Sequence, residues 1–143
     1  MKYALSVEST RTTESDVVGI VVVSHSPDLA RGVVDLAGEL AGSEVALEAV
    51  GGGPDGRLGT DGERVRAAIA QVDGGDGVIL LGDLGSAILT IRHVLESRAN
   101  NHARLVDAPL VEGTLAAAVC ASAGMPLDDV ARAAEEARDA RKL

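Results

Sequence analysis

Two residues of this chain have the type and setting for chemistry, His25 and Asp83. His25 lies in Ser24-His25-Ser26-Pro27, directly after the apolar run Val17-Val18-Gly19-Ile20-Val21-Val22-Val23. Asp83 lies in Gly82-Asp83-Leu84-Gly85-Ser86, directly after the apolar stretch Gly77–Leu81. Both runs read as buried strands of a parallel sheet, so each residue falls just past a strand's carboxyl end. Pro27 suits the first turn of a helix and Ser26 is a good N-cap, which sets His25 at a helix N-terminus. The partial positive charge there disfavours imidazolium and leaves the ring neutral and nucleophilic. Free backbone N–H groups in the same turn point at anions, such as a phosphoryl group on the ring. If the two strands are neighbours, Asp83 reaches the imidazole, holds one nitrogen and leaves the other free to attack.

Each feature has a plainer reading when taken alone. A histidine after a strand is commonly structural or exposed, and Asp83 alone is more simply a helix cap. Gly51-Gly52-Gly53 reads as a loop and lacks the Gly-Lys-Ser/Thr ending of a P-loop. His93 falls on a helix face and His102 in a polar connection, so both are expected at the surface. Cys120 is the only cysteine, which excludes an internal disulfide and any multi-cysteine metal site. A metal held by His25, Asp83 and Cys120 has no supporting ligand spacing. No metal and no cofactor are expected.

The elements that must position His25 and Asp83 follow from the pattern. Residues 1–16 are polar and aperiodic and read as an N-terminal extension, with the domain proper over 17–143. After the first strand, Leu29, Val33, Leu36 and Leu40 recur at helical spacing to about Gly42. Val45–Val50 reads as a strand, and Gly51–Gly56 as a loop. Thr60-Asp61-Gly62-Glu63 matches a capping box before a short helix carrying Val65, Ala68, Ile69 and Val72. The strand Gly77–Leu81 leads past Asp83 into a helix bearing Leu84, Ala87, Ile88, Ile91 and Leu95. Arg104–Val106 reads as a fourth strand, followed by helices over about Glu112–Ala123 and Leu127–Arg141. Alternating strands and helices predict a single α/β domain, a doubly wound, mainly parallel sheet with helices on both faces.

Composition narrows the function classes. With 143 residues and 46% apolar content, the chain can bury one substantial core. It has one Tyr and no Phe or Trp, so the core rests on Val, Leu, Ile and Ala. A net charge of −9 argues against a nucleic-acid surface and suits a basic protein partner. No run reaches the roughly 20 apolar residues of a membrane span, and no secretory segment is visible. A cytoplasmic location is expected.

The segment Gly19-Ile20-Val21-Val22-Val23-Ser24-His25-Ser26 resembles the active-site stretch of the mannose-type enzyme IIA phosphocarriers. More specifically it is similar to the phosphotransferase subunits of phosphoenolpyruvate-dependent dihydroxyacetone kinases. Three further blocks match in order: Leu58-Gly59-Thr60-Asp61, Gly82-Asp83-Leu84-Gly85-Ser86-Ala87 and Ala108-Pro109-Leu110-Val111-Glu112-Gly113-Thr114. The resemblance covers roughly residues 17–140. It implies that His25 is the phosphorylated nucleophile and Asp83 its orienting partner. Ser24, Ser26, Gly51, Gly52, Gly59, Thr60, Gly85 and Ser86 match positions flanking the site, where they would contact the phosphoryl group or a partner. The implied donor is the phosphocarrier HPr. The implied acceptor is an ADP held by the kinase's nucleotide subunit, whose regenerated ATP phosphorylates dihydroxyacetone. A homodimer is implied as well. Some members carry HPr-like and enzyme I-like domains after this one; the chain ends at Leu143, so a separate donor is expected.

Rival readings make other demands of the chain; a regulatory binding module with a vestigial histidine, for one, predicts no stable phosphoryl adduct. A receiver domain needs an acidic pair after the first strand and a lysine after the fifth, and no lysine lies between Lys2 and Lys142. A flavin module would lack Phe or Trp to stack on the isoalloxazine. A sugar-transport enzyme IIA of the mannose type shares the His and Asp logic but passes phosphate to a transporter subunit.

Overall fold

The computed structural model describes residues 17–55, 57–97 and 102–143. The polar extension read at residues 1–16 lies outside them. The elements run β1 Gly19–Ser24, α1 Pro27–Ala41, β2 Leu47–Gly51, α2 Gly62–Val72 and β3 Val78–Gly82. They continue with α3 Gly85–Glu96, β4 Ala103–Leu105, α4 Leu110–Ser122 and α5 Leu127–Glu136, closed by a 3-10 turn at Ala137–Asp139. The four strands form one sheet in the order β2-β1-β3-β4, with every pairing parallel. This is the doubly wound α/β architecture expected from the alternation.

The sheet is buried on both faces, and strand periodicity divides the core in two. Ile20 and Val22 of β1, with Ile79 and Leu81 of β3, face α1, α4 and α5 through Ala30, Val33, Ala117 and Val130. Val21 and Val23, with Val78 and Leu80, face α2 and α3 through Val65, Ile69, Ala87 and Ile91. Every residue of β1 is buried. That explains its unbroken β-branched composition.

The strand order reverses where the site was expected. The β1–α1–β2 unit moves to one side of β1, and the β2–α2–β3 crossover returns to the other. The crevice between β1 and β3 is the switch point at which open parallel sheets bind ligands. Helices α1 to α4 each start from the carboxyl end of a strand, so four helix N-termini share that end of the sheet.

Three local expectations differ from the structure. The N-cap of α2 is Asp61, whose side chain accepts from the Glu63 N–H; Thr60 instead bonds the Thr90 hydroxyl at 2.8 Å. The N-cap of α3 is Leu84 without a side-chain cap, because Asp83 is turned toward His25. Helix α5 stops at Glu136, five residues before Arg141. Beyond Ala134 the periodic apolar pattern ends at the half-buried Ala137, where the chain tightens into the 3-10 turn. No helix among the described residues is long and apolar enough to cross a membrane.

Candidate active site

The strand register brings the two expected residues together. Val23 pairs with Gly82 across β1 and β3, and the Asp83 N–H donates to the Val23 carbonyl at 3.2 Å. His25 and Asp83 therefore lie two residues and one residue beyond the same rung. Their side chains meet, with His25 Nδ1 3.0 Å from Asp83 Oδ1. The imidazole keeps 24% of its surface and the carboxylate 11%. The ring opens to solvent while its partner is largely enclosed.

The carboxylate is held by donors on both oxygens. Asp83 Oδ1 also accepts from the Leu84 N–H at 2.7 Å. Oδ2 accepts from the Ser24 hydroxyl at 2.8 Å and from the His25 N–H at 3.0 Å. Burial alone would raise the pKa of Asp83. The His25 N–H, the Ser24 hydroxyl, the His25 ring and the Leu84 N–H outweigh it and hold the carboxyl below its ordinary value. Asp83 is thus an acceptor, and the proton it shares with the ring resides on Nδ1 of His25. The other ring nitrogen, Nε2, faces the Ser86 hydroxyl. With Nδ1 turned to the carboxylate, Nε2 is the ring atom left to act as a nucleophile.

The other flanking residues hold the ring's surroundings in distinct ways. Ser26 is the N-cap of α1, its hydroxyl accepting from the Leu29 N–H at 3.2 Å. The Gly59 N–H donates to the His25 carbonyl at 3.1 Å, from a backbone with φ +143° that side chains rarely adopt. Gly51 ends β2 beside Pro27; a Cβ there would stand 2.5 Å from the Pro27 Cα. Gly52 continues that turn against the Pro27 ring. Gly85 is the exposed first residue of α3, with open space around it. Thr60 bonds Thr90 and makes no hydrogen bond to His25. Sequence reasoning missed Arg64, whose guanidinium donates to the Gly51 carbonyl at 2.8 Å. No local spacing announces such a contact between a helix and a strand end.

The remaining candidates stand apart. His93 and His102 are exposed. Cys120 lies on α4, and burial with the nearby Asp129 pushes its thiol up, away from the reactive thiolate. Among the described residues no three His, Cys, Asp or Glu side chains are grouped to hold a metal ion.

Comparison with known proteins bears on this geometry. The family model described as EIIA-man, the PTS system fructose IIA component, matches residues 19–131. The PEP-dependent dihydroxyacetone kinase phosphoryl donor subunit DhaM of Escherichia coli K12 is 40% identical over 131 residues, 87% of this chain and 28% of that protein. The chain thus spans little more than a quarter of that relative. A DhaM of Listeria innocua, phosphoryl donor subunit of dihydroxyacetone kinase 2, is 36% identical over 71% of this chain and 84% of its own length. A crystal structure of a protein of unknown function, EF1359, superposes with a TM-score of 0.77 at 31% identity, covering 84% of this chain and 94% of that one. The chain belongs to the EIIA-man family, and within it to the DhaM proteins.

Proposed function

We propose that this chain is a phosphohistidine carrier of a PEP-dependent dihydroxyacetone kinase, with Nε2 of His25 as the atom that bears the phosphoryl group. The reading rests on one observation: Nδ1 of His25 is committed to Asp83, and Nε2 points outward beside Ser86. In the transfer, the Nε2 lone pair forms a bond to phosphorus as the bond from phosphorus to the donor's histidine breaks. The Nδ1 proton stays on the ring, and Asp83 stabilises the positive charge that grows there. Phosphoryl transfer asks little covalent chemistry of a protein, so positioning and electrostatics carry most of the rate. The Ser86 hydroxyl is placed to donate to a phosphoryl oxygen once the group arrives, alongside the N–H groups that open α3.

The donor is HPr, and the acceptor is the ADP-bound kinase subunit, where the phosphoryl group goes to ADP and then to dihydroxyacetone. Leu58 and Leu84 are 76% and 62% exposed, and each adjoins a residue bonded to the His25 segment. They give the carrier an apolar rim against which partners can pack. We place the protein in the cytoplasm as a homodimer, with Leu36 and Leu40 on the outer face of α1 as the candidate contact.

Incubation with enzyme I, HPr and phosphoenolpyruvate, read by intact mass, tests this. One phosphoryl mass is expected on the native chain and none on His25→Ala, while His93→Ala and His102→Ala label normally. Labelling of His25→Ala would overturn the assignment. Transfer onward to a transporter subunit, with none to the ADP-loaded kinase subunit, would replace the kinase reading by the sugar-transport one.

A further inference from the structure

We infer that Ser24 is a positioning residue for phosphoryl transfer, acting through Asp83 rather than touching the phosphoryl group or a partner. The inference rests on the carrier reading above, since it concerns how His25 is held for attack. Ser24 ends β1 and is fully buried, one of two buried polar side chains in the described structure. A residue so enclosed cannot meet a docking protein. Its hydroxyl donates to Asp83 Oδ2 at 2.8 Å and accepts from the Ser26 N–H at 3.0 Å. It therefore bridges two things the site must align: the carboxylate that holds the ring and the N-cap of the helix on whose N-terminus the ring sits.

The geometry explains why a hydroxyl is needed there. Asp83 Oδ2 receives only the Ser24 hydroxyl and the His25 N–H, whereas Oδ1 serves the ring and the Leu84 N–H. Without the hydroxyl, the carboxylate loses one of the two anchors on Oδ2 and can rotate about its terminal torsion, which is broad and weakly restrained. Rotation moves Oδ1 off Nδ1, and the ring then populates the tautomer whose Nε2 carries the proton and cannot attack. The Ser26 N–H loses its acceptor in the same step. An apolar side chain of similar size fills the space but supplies neither bond, so packing does not substitute for the hydroxyl.

The experiment compares native protein, Ser24→Ala, Ser24→Thr, Asp83→Asn and the double variant Ser24→Ala/Asp83→Asn, with thermal unfolding recorded for each. At saturating HPr, Ser24→Ala should label about tenfold more slowly, the scale of one lost hydrogen bond to a charged group, with KM for HPr unchanged. Ser24→Thr should restore most of the rate. In the Asp83→Asn background, adding Ser24→Ala should cost far less than tenfold, because residues that act as a unit are not additive. A separate readout needs no phosphoryl transfer: ring nitrogen-15 shifts of His25 should move from the Nδ1–H tautomer toward a mixture in Ser24→Ala. Native tautomer shifts in a folded Ser24→Ala would overturn the inference, as would full additivity with Asp83→Asn or a rise in KM alone. If Ser24→Ala does not fold, Ser24→Cys, a weaker donor of similar size, should show the same tautomer drift in smaller degree, and its absence would count equally against the inference. Failure of the native chain to label would overturn the carrier reading instead, and the tautomer readout would still decide the role of Ser24.

Discussion

Asp83 has two faces in this structure, one toward the imidazole and one toward the interior. Its carboxyl is held below the ordinary value against a burial effect that works the other way. A group whose folded pKa is depressed stabilises the fold above its unfolded value, about 3.9 for Asp, and loses that contribution as pH falls through the lower folded value. The unfolding free energy of the native chain should therefore exceed that of Asp83→Asn at neutral pH, with the gap closing in acid. Denaturant titrations at several pH values check this, and a constant gap would show that the carboxylate is not the source. Asn at position 83 keeps the size but removes the charge and can turn its amide N–H₂ toward Nδ1. Misplacing a nucleophile commonly costs on the order of a hundredfold, so Asp83→Asn should label slowly at saturating HPr, still on His25. Stopped-flow or quenched labelling at saturation measures it; native rates would leave Asp83 a purely structural role.

At the level of elements, the strands and helices were legible because their signals are strong and local. The continuous apolar runs of β1 and β3, and Pro27 after Ser26, mark strand ends and a helix start in the amino acids themselves. The pairing of His25 with Asp83 was legible too, but only conditionally, since it depends on β1 and β3 being neighbours. What the chain does not write down locally is the choice among nearby polar groups. Thr60 and Asp61 both suit an N-cap, and tertiary packing sends Thr60 to Thr90 and leaves the cap to Asp61. Gly51 is a related case. A triple glycine reads as a loop, whereas the structure keeps its first member in β2 and uses it to let the strand end against the backbone of Pro27. Gly51→Ala should force that backbone apart, destabilising the fold by about 1–3 kcal/mol as overpacking does, and carrying the start of α1 and His25 with it. Thermal unfolding gives the first part and a slower labelling rate the second; a variant as stable and as fast as the native chain would show that the junction yields.

For the whole molecule, the parallel sheet sorts the peptide dipoles. Four helices begin at the carboxyl ends of strands of a protein of net charge −9; the first turns of α1, α2 and α4 carry Asp28, Glu63 and Glu112, and α3, beside the His25 ring, has no acid in its first turn. That arrangement has a thermodynamic side. A phosphoryl group adds negative charge to a chain already rich in it, and in a random coil that addition would only increase repulsion. On the carrier reading proposed above, a phosphoryl group on Nε2 of His25 would sit beside the N-terminus of α3 and act as a ligand that prefers the native state. The folded protein would then lower the transfer potential of that group relative to a phosphohistidine in an unstructured peptide. The loaded carrier should melt at a higher temperature than the empty one, and its phosphorus–nitrogen bond should hydrolyse faster once the chain is denatured. The two melting curves and the decay of the phosphohistidine signal in and out of denaturant would measure how much of the cargo's reactivity the fold holds in check.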